Sequence, residues 1–535
     1  MTETANLPLE RQPRDIRPAD RVAVPAVYLL AFGFIYSFLE SATVGSWAAL
    51  TALLIATPLY LRRFDIRLSL PAYLLYALLP LFALPQLLSD NSAVYAVSMA
   101  ATLFGYLYVV HYLCAGFGRA RLPGEAILLD GGKAVFGMPL SEFGAAPAAL
   151  AQIKGKRVGR TVGLILAGLA LALIPTLIVT VLLASADDGF SDLIDDIFSH
   201  ALPDFDAPLL LVSLFFAIPL CCYVFGHLWA CGTHSLGGGV SEETYRKSVT
   251  VCRIIPIPMA CAAVAPLLIV YLLFFSTQIP YFVGGFTGTL PEGLTYAAYA
   301  RRGFFELCAV AVIDAGMLVC LNLFTKRDTD RLPLLPRAVS LMLSLSTLIL
   351  LSTATAKMLL YVDTYGLSRK RVYTLWLMAL LAVYFVIQIV RLFVPRLRAS
   401  ALVFAAVVLF VGVFLFADFD RIIAEYNVDA YLSGEMEAVD VDMLSDMSAS
   451  AVSSLLRLYD EADNTGVRTD AYFAVALFLT RTQGDAMEAY GYGGWEFNFA
   501  EARALKLIRS HTDYARFING RQEFYERAEI INPNR

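Results

Sequence analysis

Runs of about twenty uninterrupted apolar residues recur along this chain, beginning near Val22, Thr43, Leu68, Ala93, Thr161, Pro208, Pro256, Gly303, Ala338, Val372 and Ala401. A helix rises 1.5 Å per residue, so a run of that length crosses the ~30 Å hydrocarbon core of a bilayer. The runs do not alternate as barrel strands do, and in lipid a helix satisfies its own backbone polar groups. The expected fold is all-α: a polytopic helical membrane bundle of about eleven spans. Composition fits, with 58% hydrophobic and 16% charged residues in 535, against ~25% charged in soluble domains.

Orientation follows from the basic residues. The N-terminal tail, the segments around Arg62 to Arg67, Arg119 to Arg160, Arg246 to Arg253, Lys326 to Arg337 and Arg391 to Arg398 hold 24 Lys and Arg, whereas the alternate loops hold 5. The first set is therefore expected in the cytoplasm. Residues 1–20 read as a cytoplasmic tail, 21–419 as the bundle, and 420–535 as a small extracytoplasmic helical domain. The first apolar run is longer than a signal-peptide core and lacks a small-residue cleavage site, so a retained helix is expected. All eight cysteines lie in or beside apolar segments and none follows Cys320. No disulfide framework is expected outside the membrane.

Three pieces interrupt or follow the spans. The inner loop 114–160 offers Leu140, Phe143, Leu150 and Ile153 to the bilayer surface. The outer loop 185–207 carries seven aspartates and no Lys or Arg. Its Phe190, Leu193, Ile194, Ile197 and Phe198 recur at helical spacing, which suggests an amphipathic surface helix with a solvated acidic face. In 420–535, 20 acidic and 11 basic residues accompany helical periodicity at Val452, Leu455, Leu456 and Tyr459, at Tyr472, Val475, Ala476 and Leu479, and at Ala504, Leu505, Ile508 and Tyr514. Asp463 to Gly466 and Gly491 to Gly494 divide this domain into about three hairpin-like parts.

Ionisable groups inside spans are expensive and usually have a partner or a task. In span eight, Glu306 falls ~5 Å and Asp314 ~17 Å from the outer end, and Lys357 of span nine lies ~6 Å from the same face. Ser346, Thr353 and Lys357 share one stripe. These residues predict a polar seam between spans eight and nine, open to the outside, with a Glu306–Lys357 ion pair at its mouth. Arg301, Arg302, Arg369 and Arg371 would form a basic rim. A seam that merely locks two helices together by hydrogen bonds is the bland alternative.

His227, Cys231 and His234 end span six, and His111 with Cys114 ends span four, yet no Cys-x-x-Cys or His-x-x-x-His pair supports a metal. No phosphate loop, Gly-x-Ser-x-Gly elbow, His-Glu-x-x-His or Gly-x-Gly-x-x-Gly is present. Catalytic residues, cofactors and metals are accordingly not expected.

Tyr296-Ala-x-Tyr-Ala-Arg-x-Gly-Phe-Phe-Glu-Leu307, Tyr365-Gly-Leu-Ser-x-x-Arg-Val-Tyr-Thr374, Asn427-Val-Asp-x-Tyr-Leu432 and Phe497-Asn-Phe-x-x-Ala-Arg-Ala504 resemble a family of bacterial polytopic membrane proteins known as a domain of unknown function, of the 4173/4153 type. The resemblance covers about Leu210 to Leu507. It implies a multi-pass protein of the bacterial inner membrane and brings no activity or site residues. Position 298, often acidic in that pattern, is Ala298 here.

Three functions compete. A membrane-embedded sensor, regulator or assembly protein would bind a protein partner through its outer domain. A secondary transporter would use the seam, with Pro256, Pro258 and Pro266 breaking span seven. A transferase with a lipid-linked donor would use Glu40, Glu306 or Asp363 with Arg301, Arg302, Arg369 and Arg371 holding phosphate. The expected partners are the lipid bilayer and a protein at the outer domain, not nucleic acid.

Overall fold

A computed structural model describes residues 16–40, 43–64, 70–114, 131–151, 207–233, 250–287, 304–327, 332–394, 397–482 and 497–520. In chain order the helices are α1 (Pro18–Leu39), α2 (Thr43–Leu61), α3 (Leu70–Ala83), α4 (Pro85–Leu88), α5 (Ser92–Cys114), α6 (Met138–Ser141), α7 (Ala145–Ala151) and α8 (Ala207–Thr233). They continue as α9 (Ile257–Thr287), α10 (Phe304–Phe324), α11 (Leu334–Tyr365), α12 (Arg369–Phe393), α13 (Ala399–Phe416), α14 (Phe419–Leu432), α15 (Val441–Ser445), α16 (Val452–Glu461), α17 (Thr465–Thr482) and α18 (Phe499–Ser510). Among the described residues the β-structure is one isolated parallel bridge, Ile255 to Thr325.

Nine described helices, α1, α2, α5 and α8 to α13, are long and apolar enough to cross a membrane. The chain is thus an all-α polytopic bundle. The third apolar run forms the shorter pair α3 and α4, which meet at a turn where Pro85 has no amide hydrogen to continue the ladder. The fifth run, from Thr161, lies outside the described residues, as does the acidic loop up to Asp206. In the seventh span the expected break is not found: α9 is helical from Ile257 to Thr287, through Pro266.

The described chain divides into two compact units. One contains residues 1–68, 107–115 and 132–238. Here α1 packs along α2 and α8, and Val24, Val27, Ala31, Ala217, Cys221, Phe225 and Trp229 form its core. Part of the inner loop joins this bundle. Gly226 of α8 lets the turn after α6 approach so closely that a Cβ would meet the carbonyl oxygens of Pro139 and Glu142 at 2.9 Å. The Tyr223 hydroxyl donates to the Val135 carbonyl at 2.5 Å. Leu140, Phe143 and Leu150 remain exposed, available to lipid.

The first helix starts inside the segment assigned to the tail. Asp20 is fully buried and caps α1 by accepting from the Arg17 amide at 2.6 Å. It also accepts from the Tyr60 hydroxyl at 2.9 Å and pairs with Arg63. The Arg63 guanidinium lies over the rings of Phe64 and Trp229, 4.8 and 5.1 Å from their centroids, where cation–π attraction offsets part of its lost hydration.

The second unit contains residues 69–106, 116–131 and 239–535. Its membrane part packs α9 to α12 around Val264, Ala311, Leu318, Leu343, Leu350, Ala354, Met378 and Phe385. The C-terminal helices bury a separate core of Ile423, Val428, Leu444, Leu455, Leu458, Val475, Leu479, Leu505, Ile508 and Phe517. Each such side chain contributes roughly 1.5–3 kcal/mol by leaving water. Asp418, at φ 49°, turns the chain between α13 and α14.

Candidate functional site

Asp314 lies in the middle of α10 with no exposed surface. The Tyr271 hydroxyl from α9 is 2.7 Å from both of its carboxyl oxygens. The Thr347 hydroxyl from α11 is 2.7 Å from Oδ2 and 2.8 Å from the Leu343 carbonyl. A hydroxyl has one proton to give. If Thr347 donates to Leu343, its contact with Asp314 requires a proton on the carboxyl group. If Thr347 donates to Asp314, the carboxyl group needs none.

The residues expected outward of Asp314 are less enclosed. Glu306 is exposed in the first turn of α10, and Ser346, Thr353 and Lys357 are half-buried. Thr353 donates to its own helix, to the Ile349 carbonyl at 2.8 Å. No Glu306–Lys357 ion pair is found among the described residues; Arg301 and Arg302 lie outside them. Buried polar groups instead continue from Asp314 toward the end of the bundle opposite the helical domain. Ser344 and Ser340 follow Thr347 on one stripe of α11, and both are buried. Asn322 approaches Gln388 at 3.5 Å. The recurrence of Ser340, Ser344 and Thr347 at steps of four and three is the sequence signal for this stripe.

A second polar cluster joins the helical domain to the spans. Asp420, at the start of α14, accepts from Arg369 Nε at 2.7 Å and Nη2 at 2.5 Å, from Asn91 Nδ2 at 2.8 Å and from the Ser448 amide at 3.0 Å. Burial pushes its carboxyl group up, but the Arg369 guanidinium and the Ser448 donors outweigh that and hold it below the usual carboxylate range. Asn91 also caps α5, accepting from the amides of Ala93 and Val94 at 2.9 and 3.2 Å. Neighbouring Asp90 accepts from the Ala449 amide at 2.7 Å. Burial moves Asp90 up, against the pull of that amide.

Arg369 and Arg371, expected in a basic rim, are turned into the protein. Arg369 also reaches the Asp446 carbonyl at 3.0 Å. Arg371 donates to the carbonyls of Tyr365 and Gly366 and covers the Tyr361 ring at 4.2 Å. Beside them Asn427 brackets the Leu367 backbone, accepting from its amide at 2.7 Å and donating to its carbonyl at 2.8 Å. Gly366, at φ 71°, ends α11, and a Cβ there would collide with Asn427 Oδ1. Spacing alone did not reveal that Asn91, Asp420 and Ser448 meet.

In the first unit His227 Nε2 is 3.7 Å from Cys231 Sγ, one helical turn away. Among the described residues no three His, Cys, Asp or Glu side chains are placed to hold a metal; His234 lies outside them.

A family model described as "Domain of unknown function (DUF4153)" matches residues 26–458. The chain belongs to the DUF4153 family. The DUF4153 match starts in α1 and ends in α16, so it includes the Asp314 cluster and the Asp420 junction. It begins well before the region from Leu210 that the motifs suggested, and the Phe497 to Ala504 piece lies beyond it. No curated protein and no solved structure matches the chain. This DUF4153 chain is an integral membrane protein with several spanning helices.

Proposed function

We propose that this protein is a membrane-embedded regulatory or assembly protein of the bacterial inner membrane, whose extracytoplasmic helical domain binds a protein partner. The observation that carries the reading is the Asp420 junction. One buried carboxylate ties α14 to the start of α12, to the turn before α5 and to Ser448. A domain held this way can pass a load or a displacement to the spans, which a loosely tethered domain cannot. Phe499 and Leu507, exposed two turns apart on α18 with Arg503 between them, offer an apolar contact stripe. The acidic excess of the domain favours a partner with a basic surface.

A photo-crosslinking residue at Leu507 tests this in native membranes. One recurring protein should be captured, and Asp420→Asn should reduce its capture while the chain remains in the membrane. No capture, or capture indifferent to Asp420, would overturn the reading.

Asp314 favours a second reading, a transporter coupled to an ion. The lipid-linked transferase reading is less favoured, because the Arg369 and Arg371 side chains it requires for phosphate are engaged by Asp420, Asp446, Tyr365 and Gly366.

A further inference from the structure

We propose that Asp314 is a proton-binding site inside the membrane, loaded and emptied from the end of the bundle opposite the helical domain, with Thr347 re-aiming its hydroxyl as the proton comes and goes.

The hydrogen bonds of the site close in two ways. In the loaded form Asp314 Oδ2 carries the proton and donates it to Thr347 Oγ1, and Thr347 donates to the Leu343 carbonyl. Tyr271 donates to Oδ1. In the empty form the carboxylate accepts from both hydroxyls, and the Leu343 carbonyl keeps its ordinary helical bond. The two forms differ by one proton on Asp314 and one hydroxyl rotation. Both leave the buried oxygens of the site paired, which matters because an unsatisfied polar group in hydrocarbon costs several kcal/mol.

The charges around the site leave this balance to the proton. Tyr271 faces Asp314 from α9, Thr347 from α11, and Tyr384 on α12 donates to the Ala315 carbonyl at 3.3 Å. No ion pair to Asp314 occurs among the described residues. On α11, Lys357 and Arg337 are each ten residues from Thr347, about 15 Å toward opposite ends of the helix. A carboxylate with no ion-pair partner among the described residues favours taking up a proton when the surroundings stay dry.

The direction of loading comes from the polar stripe. Ser344 and Ser340 lie about 4.5 and 10.5 Å beyond Thr347, and Asn322 about 12 Å beyond Asp314. Asn322 and Ser340 are therefore level with each other on packed antiparallel helices. Among the described residues the buried Ser340 hydroxyl has no hydrogen-bond partner, nor has that of Thr325 farther along. Buried orphan hydroxyls at the same polar seam are where ordered water is held, and water there completes a path for a proton. On the other side of Thr347, Leu350, Leu351 and Ala354 of α11 are buried in the apolar core.

Infrared difference spectroscopy on the full-length protein in liposomes tests the proposal. A carboxylic acid carbonyl band should vanish as the pH is raised and should be absent from Asp314→Asn. Thr347→Val removes its hydrogen-bond acceptor and should move the band to higher frequency. Exchange into deuterated water should shift the band, and a bulky Ser340→Leu change should slow that exchange at least tenfold. A spectrum with no band assignable to Asp314 at any pH would overturn the site. Loss of the band on adding sodium at constant pH would reassign it to a metal cation. Exchange unaffected by Ser340→Leu would overturn the loading route.

Discussion

Arg369 meets Asp420 along one edge of its guanidinium, Nε and Nη2 each contacting a different carboxyl oxygen at 2.7 and 2.5 Å. This two-point contact fixes orientation as well as distance. It joins the first residue of α12 to the second residue of α14, and so sets how the helical domain stands on the spans of its own unit.

Asp420→Asn should therefore loosen the domain without unfolding the spans. Removing one partner of a buried pair costs about 3–5 kcal/mol, and the partial exposure of Arg369 places this change near about 3. Thermal melting in detergent should show earlier unfolding, and limited proteolysis should cut sooner after Phe416. Arg369→Lys keeps the charge but loses the fork, so it should fall between wild type and Asp420→Asn. Equal stability of all three would contradict the junction.

The same junction sets a pH dependence. Asp420 is held below the ordinary value of 3.8, so its stabilisation is complete above that value and is lost as the pH falls through the lower folded value. Asp90 is raised above 3.8 and acts in the opposite sense. Its contribution is present below 3.8 and is lost as the pH rises through its folded value. Mild acidification from neutrality should first stabilise the domain, and stronger acid should then release it. Asp90→Asn should remove the first phase and Asp420→Asn the second in a melting-temperature profile against pH.

Gly366→Ala should cost about 1–3 kcal/mol from the backbone alone, because φ 71° with ψ −172° is a region open almost only to glycine. It should cost more in practice because the new methyl group displaces Asn427. The variant Asn427→Ala tests the steric part. In that background the penalty of Gly366→Ala, read from chemical denaturation, should shrink toward the backbone value.

In the first unit, Arg63→Met should leave the Asp20 carboxylate buried without its cation, with a loss of about 3–5 kcal/mol. Its level in the membrane should drop sharply. The double change Asp20→Asn with Arg63→Met should restore much of it, as measured by immunoblot of isolated membranes. If the single and double variants accumulate alike, the pair contributes little.

Reporter fusions after Leu61, Arg160 and Gly434 should read cytoplasmic, cytoplasmic and extracytoplasmic, following the placement of Lys and Arg. A cytoplasmic reading at Gly434 would invert the topology.

Much of the fold was legible because it rests on local quantities. The starts of α1, α2, α5 and α8 to α13 follow from where apolar runs begin, and the cost of a carboxylate in lipid singled out Asp314. Its partners were not legible, since Tyr271 and Thr347 depend on which helix faces meet. The expected Glu306–Lys357 pairing rested on shared depth and on consecutive spans lying side by side, and two residues at one depth on neighbouring helices can still face different ways. Arg369 was misread for a related reason. Charges at a span end usually face water, and only the return of the chain at Asp420 turns this one inward. Nothing in the local sequence marks Asn91, because its partners Tyr373 and Asp420 are more than 280 positions away.

That separation in sequence has a consequence for how the protein is made. Asn91 leaves the ribosome 329 residues before Asp420. At 5–20 residues per second this is a wait on the order of 15–65 s. Throughout that interval the turn at Asp90 and Asn91 stands with an acid and an amide that the finished protein covers. A chain that stops short of α14 keeps them bare, together with Arg369. The junction thus closes only in a chain translated through α14.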